Sequence, residues 1–249
     1  LMLRVTANTQ LMREIVDLLS VLTEEAKMSW GEKGLTVNVV DGSHVALLSA
    51  TISDACFETY ECEPVEIGLE LGKLRDLLTL AGPSDLVEID YDDAVGAVNV
   101  RVGQVHRILR GLDTNSMSDP KLPVLDFDCS ATIDAEKLSR SLRAAKFVGE
   151  LVDLSLDSKE MRVSVTVEAG EGVNVSFESG ELSELTCPSP TQGTYSLQFL
   201  DPLTRKLASG LASDVQVRFQ DKYPLRLDWS SNDGGASWTY FLAPRVTND

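Results

Sequence analysis

The sequence predicts an α+β protein in which antiparallel sheet dominates and two similar halves follow one another. Three observations carry this reading. Four segments place apolar residues at helical spacing. Nearly all the rest alternates, or is β-branched, in short runs broken by turn residues. The order strand, helix, several strands, helix, three strands occurs once before residue 113 and again after residue 126.

In the first predicted helix, Thr9–Val21, Asn8 is the cap, and Leu11, Ile15, Leu18, Leu19 and Leu22 fall on one face. Strands follow at Leu35–Val40 and Val45–Thr51, after a turn at Gly31-Glu32-Lys33-Gly34. The second helix, Gly72–Leu80, turns Leu74, Leu77, Leu78 and Ala81 inward and stops at Gly82-Pro83. Strands Leu86–Tyr91 and Val98–Val102 flank a turn at Asp92-Asp93. The third helix, Asp134–Phe147, buries Ala135, Leu138, Leu142 and Ala145, and strands Val163–Val167 and Val173–Phe177 flank Gly170-Glu171-Gly172. The fourth, within Phe199–Gly210, opens at Asp201-Pro202, a cap followed by proline at the first helical position; it carries Leu203 and Leu207. Strands Val215–Phe219 and Trp238–Leu242 close the chain's regular structure, with turn residues at Asn232-Asp233-Gly234-Gly235.

Some identities repeat with the element order. Ser29, Lys33 and Val37 recur 126 residues later as Ser155, Lys159 and Val163, and Ser84-Asp85 recurs as Ser213-Asp214. The segment from Asp113, with Pro120, Pro123 and little periodicity, reads as an extended connector. The expected organisation is a domain at 1–112, a connector at 113–126 and a second domain at 127–249.

The 249 residues include 22 basic and 39 acidic ones, for a net charge of −17. No run reaches the roughly 18 apolar residues of a membrane helix, and Leu1–Val5 lacks a charged-then-apolar leader. The expected location is the cytoplasm, or the nucleus if the cell has one. Cys56, Cys62, Cys129 and Cys187 form no C-x-x-C pair, and His44 and His106 are the sole histidines, so neither metal nor cofactor is expected. The cysteines read as reduced, packed thiols.

At Val40-Asp41-Gly42-Ser43-His44-Val45-Ala46-Leu47 and Phe57-Glu58-Thr59-Tyr60, the chain resembles the signature stretch of the proliferating cell nuclear antigen family. Tyr240-Phe241-Leu242-Ala243-Pro244-Arg245 is similar to that family's L-A-P-K/R ending, and Leu112-Asp113 with Leu122-Pro123 to its interdomain loop. The resemblance spans the whole chain; the acidic balance has an archaeal look. It implies the DNA clamp fold: two similar domains, each with antiparallel sheet outside and two helices inside, closing into a homotrimeric ring around duplex DNA without sequence preference. It further implies an ATP-driven clamp loader, and a DNA polymerase, a flap nuclease and a DNA ligase that attach through short peptide motifs. Such a protein is a processivity factor, not an enzyme, and would be nucleoid-associated in an archaeal cell.

The charge distribution fits that implication. An acidic protein repels nucleic acid unless its basic residues are gathered in one place. The four predicted helices hold nine basic and six acidic residues, a net of +3, which leaves −20 on the remainder. In the third helix Lys137, Arg140, Arg143 and Lys146 lie opposite the apolar arc. With Arg13, Lys73, Arg75, Arg205 and Lys206 they are the expected DNA-facing set. Glu14 and Ser20 depart from the family's more basic first helix.

The resemblance also implies two protein-binding surfaces. For ring closure, Gln104–Gly111, carrying His106, Arg107 and Arg110, would pair with Val173–Glu181 of the next subunit, carrying Val175, Glu178 and Glu181. For partner peptides, Val40, His44, Val45, Leu47, Leu122, Pro123, Pro224, Phe241, Ala243 and Pro244 would form one pocket with His44 at its rim.

Catalytic alternatives are poorly supplied. Ser43 and His44 are adjacent on an expected strand, so they would point apart. His106 has no carboxylate at useful spacing, and no phosphate-cradling glycine motif occurs. Asp90, Asp92 and Asp93 begin like a calcium loop but lack its later glutamate, and read as a hairpin turn. Trp30, Trp229 and Trp238 read as core residues. Two rival readings stay open from sequence: an enzyme on an unrecognised α+β scaffold, and a monomeric clamp-related checkpoint or adaptor protein.

Overall fold

The computed structural model describes residues 2–167 and 170–246. They fall into two compact units: one reaches to Leu122 and takes in Ser230–Trp238, and the other runs Pro123–Trp229 and resumes at Thr239.

The first unit contains β1 (Leu3–Asn8), α1 (Thr9–Leu19), β2 (Glu25–Gly31), β3 (Gly34–Val40), β4 (Ala46–Ser53), β5 (Thr59–Cys62), β6 (Val65–Glu70), α2 (Leu71–Leu78), β7 (Leu86–Asp92), β8 (Ala97–Val102) and β9 (Val105–Arg110). One sheet has the order β5-β1-β7-β8-β9, and the run β4-β3-β2-β6 lies within a second, larger one. Alternation explains the strands: Ala26, Met28 and Trp30 of β2 and Leu35, Val37 and Val39 of β3 are buried, with more accessible residues between them. The Asn8 side chain accepts the Leu11 amide at 2.8 Å and starts α1, whose Leu11, Ile15, Leu18 and Leu19 are buried. At Gly68 of β6, any Cβ would lie 2.6 Å from Met117 Sδ and 3.0 Å from Leu112 Cβ. This lets the connector close on that strand, where the Leu112 amide donates to the Gly68 carbonyl at 2.9 Å.

The second half of the chain repeats the plan with β10 (Ser130–Asp134), α3 (Ala135–Lys146), β11 (Leu151–Leu156), β12 (Glu160–Thr166), β13 (Gly172–Glu178), β14 (Glu184–Thr186), β15 (Thr191–Ser196), α4 (Leu197–Lys206), β16 (Asp214–Arg218), β17 (Leu225–Ser231) and β18 (Ala236–Leu242). Its strand orders, β14-β10-β16-β17-β18 and β13-β12-β11-β15, copy those of the first unit strand for strand. The match extends to register. Met28 faces Val37 across β2–β3, and Leu154 faces Val163 across β11–β12, each residue shifted by the same 126 positions.

The fourth helix corrects the sequence reading. It starts at Leu197 after Ser196, not at Asp201, and holds Pro202 inside. Asp201-Pro202 has the form of a helix start, but Asp201 is buried between two cations, a use that sequence spacing does not reveal. After Lys206 the helix widens into a π turn, Leu207–Leu211, with Gly210 at φ 111°. No helix among the described residues is long and apolar enough to cross a membrane.

Candidate functional site

With their apolar arcs committed to the core, the helices direct charge outward. The observed helices hold nine basic residues and five acidic ones. Two of the five acids, Glu14 and Asp201, are buried. Glu14 accepts a hydrogen bond from the Ser231 hydroxyl. The position where the family resemblance led one to expect a lysine thus serves the interior of the first unit.

The nine expected DNA-facing residues are all exposed, in differing states. Arg75, Lys137, Arg140, Arg143 and Lys206 make no ion pair among the described residues. Arg13 donates to the carbonyls of Leu78 and Ala81 at 2.9 and 3.2 Å, capping the C-terminal end of α2. Lys73 pairs with Glu70. Lys146 and Arg205 flank Asp201, with Nζ at 3.3 Å and Nε at 2.9 Å from Oδ2. This carboxylate ties α3 to α4 and draws two of the nine cations partly inward. Between these helices lies a groove of about 730 Å³, lined by Arg140, Arg143, Phe147, Arg205 and Ala208 among others.

The two expected interface strands are both edge strands, β9 of the sheet β5-β1-β7-β8-β9 and β13 of the sheet β13-β12-β11-β15. On β9, Val105, His106, Ile108 and Arg110 are exposed and Arg107 is half-buried. His106 Nε2 lies 2.9 Å from Asn99 Oδ1, and Arg107 donates to the Lys73 carbonyl at 3.3 Å. On β13, Val175 is half-buried and Glu178 exposed. The expected strand Val173–Glu181 is shorter in the structure: after Glu178 the chain makes a 3-10 turn, and the Glu181 carboxylate accepts the Glu178 amide at 3.0 Å.

The loop between β3 and β4 is organised by Asp41. Its carboxylate accepts the amides of Ser43, Val45 and Ala46 at 2.8–2.9 Å, and the Ser43 hydroxyl. Burial pushes this carboxyl's pKa up, but the hydroxyl and amide donors outweigh burial and hold it below its ordinary value. Ser43 and His44 therefore sit in a tight loop rather than on a strand, a correction to the sequence reading, with His44 exposed at φ 59°. The Ser43 hydroxyl donates its one proton to the Asp41 carboxylate, so it does not donate to His44. Val40 faces Leu47 across β3–β4, and both are half-buried, as is Val45. Leu122, also in this unit, is exposed.

In the second unit Pro123 is exposed, and Pro224, Ala243 and Pro244 are half-buried. Phe241 is 5% exposed and lies under the Arg226 guanidinium, 5.4 Å from ring centre, so its ring is mostly unavailable to a ligand. Trp30, Trp229 and Trp238 are buried as expected. Asp90 is held by Asn99 and Arg101 at 2.9 and 2.6 Å, a structural use that accounts for this part of the acidic hairpin. Cys129 and Cys187 are buried and free, while Cys56 and Cys62 are half-buried. Burial, with Cys129 beside it, pushes the Cys187 thiol up to about 12.

A family model described as the N-terminal domain of proliferating cell nuclear antigen matches residues 2–131. Among similar proteins, the DNA polymerase sliding clamp of Methanoregula boonei is 25% identical over 250 residues, covering 100% of both chains. That of Haloarcula marismortui is 27% identical over 247 residues, covering 98% of each. A solved structure described as the C-terminal region of FEN-1 bound to A. fulgidus PCNA shares the fold with a TM-score of 0.91, at 24% identity over 100% of both chains. PCNA from Thermococcus kodakaraensis superposes with a TM-score of 0.88, at 19% identity over 98% of this chain and 100% of that one.

The geometry around Asp201 yields a prediction. Asp201→Asn removes the charge that draws Lys146 and Arg205 inward. It should lower stability by about 1–3 kcal/mol, the cost of a buried polar group losing its partners. At low salt it should raise affinity for a short DNA duplex severalfold. Thermal unfolding and fluorescence anisotropy measure the two effects, and unchanged duplex affinity would show that neither cation reaches DNA.

Proposed function

Because the chain belongs to the proliferating cell nuclear antigen family, we propose that it is a DNA polymerase sliding clamp: a ring that encircles duplex DNA, holds enzymes to it, and catalyses nothing itself. One observation carries the reading most directly. In a protein of net charge −17, nine of 22 basic residues stand on the exposed faces of four short helices, and two of the helices' five acids are turned inward. Such a lining tolerates DNA without gripping it. Base-specific contacts would discriminate by about 1–3 kcal/mol each and act as a brake, whereas screened phosphate contacts permit sliding. Retention is then topological. The likeness to archaeal clamps favours a cytoplasmic protein, close to the nucleoid.

The ring would close by strand addition, β9 of one copy beside β13 of the next. β9 brings His106, Arg107 and Arg110; β13 and its following turn bring Val175, Glu178 and Glu181. Arg107 and Glu181 are already engaged inside their own units, so Arg110 and Glu178 are the better candidates for charge pairing across the joint. Partner enzymes would dock a short peptide on the first unit at Val40, Val45, Leu47 and Leu122, with His44 at the rim. The accessible edges of Ala243 and Pro244 would take the same role in the second unit. A loader driven by ATP would open the ring.

Three measurements test these proposals. Reversing the charge of Arg107 and Arg110 together should yield monomers on dilution in analytical ultracentrifugation; a double variant that stays fully trimeric sinks the joint. Val40→Ala with Leu122→Ala should weaken a polymerase-tail peptide by about tenfold or more, since truncated anchors often cost at least 2 kcal/mol. Unchanged affinity by calorimetry counts against that surface. For the ring itself, the clamp is loaded on nicked circles, salt is raised, and the DNA is then cut. Clamps should persist on circles and run off linear molecules; equal departure rates would overturn encirclement.

A further inference from the structure

The groove between α3 and α4 is unlike its counterpart in the first unit, and the difference is chemical. Subtracting the 126-residue repeat places Arg140 on Glu14, Arg143 on Asp17, Phe147 on Val21 and Arg205 on Thr79. Two acids, a small aliphatic residue and a threonine thus stand where the second unit has three arginines and an aromatic ring. Glu14 is buried and Val21 half-buried, so the first unit folds these positions toward itself. In the second unit the corresponding Arg140 and Phe147 are exposed.

Phe147 is the odd member. It is 88% exposed at the C-terminal end of α3, forgoing the burial that usually stabilises a phenylalanine. Arg140, Arg143 and Phe147 follow one another at spacings of three and four, which puts them on one helical face. Neither Arg140 nor Arg143 has an ion-pair partner among the described residues, and Arg205 lines the opposite side from α4. Arginines alone would suit the phosphates of a duplex. An uncovered ring gains nothing from a phosphate, and a duplex keeps its base faces stacked inside. Stacking of an aromatic ring on a base requires a base that is not already stacked, beside a cationic surface that holds its backbone.

We propose that this groove is a subsite for an unpaired nucleotide, with Phe147 stacking on the base and Arg140 and Arg143 holding the flanking phosphates. The proposal rests on the clamp reading and adds to it a preference, confined to the second unit, for DNA with an unstacked base such as a primer–template junction. A freely sliding ring would pass over continuous duplex and pause where a strand is unpaired.

The test uses the full chain at low salt with two probes: a short single-stranded oligonucleotide carrying one 2-aminopurine, and a duplex of the same length. The wild-type protein should quench the 2-aminopurine. Phe147→Ala should abolish the quenching and weaken the oligonucleotide about tenfold, within the range for loss of one stacked base, while duplex affinity stays the same. Phe147→Tyr should restore both stacking signals. Because the ring is exposed, these substitutions leave the core untouched. Arg140→Ala with Arg143→Ala should weaken both probes. If the oligonucleotide is indifferent to Phe147 while the duplex still depends on the arginines, the subsite is wrong and the lining stands. If neither probe responds to the arginines, both fall.

Discussion

The DNA-facing surface proposed for this molecule depends on the apolar arc by which each helix is anchored to its own unit. Leu11, Ile15, Leu18 and Leu19 of α1, and Ala135, Leu138, Leu142 and Ala145 of α3, are buried almost completely. A helix held along one side presents its other side at a fixed rotation. The basic residues interleaved with those leucines and alanines are therefore outward by geometry, with no contact needed to place each one. Substituting the arc would rotate or loosen the helix and scramble the outward face, although no cation had been altered.

The same constraint explains how an acidic chain keeps a usable basic surface. Two of the five acids on the helices are disposed of by burial and pairing: Glu14 beneath Ser231, Asp201 between Lys146 and Arg205. Burying a carboxylate costs heavily unless donors surround it, and both have them. Asp201 also joins α3 to α4, so it fixes the width of the groove between them. Charge segregation here is a product of folding as much as of sequence, since the helices' net charge understates how cationic their exposed faces are.

Much of this was legible beforehand. Alternation and helical spacing located all four helices and the strands around the hairpin turns, because those patterns record which side meets the core. The duplication was legible as element order, and its register identity at Met28–Val37 and Leu154–Val163 came only with the strands in place. What sequence could not supply were partners far apart along the chain. Asp201 read as a helix start because Lys146 lies 55 positions away. Arg13 read only as a member of the DNA-facing set because the carbonyls it caps, Leu78 and Ala81, lie 65 and 68 positions away. Asp41 looked like one residue of a motif, and its four donors emerged only from the loop it closes. Phe147 carried a usable signal that went unread: an aromatic residue in phase with Arg140 and Arg143, outside the apolar arc.

The segment Ser230–Trp238 belongs to the first unit although it is encoded more than a hundred residues after the rest of it. The Ser231 hydroxyl reaches Glu14 across 217 positions, and the Ser53 amide donates to the Gly235 carbonyl at 2.8 Å. During synthesis the N-terminal half therefore leaves the ribosome before the Ser231 hydroxyl that donates to Glu14, and the Gly235 carbonyl that accepts the Ser53 amide, have been made. Closing so long a loop is slow, and the unfinished unit exposes sheet surface while it waits. The half made first is completed last.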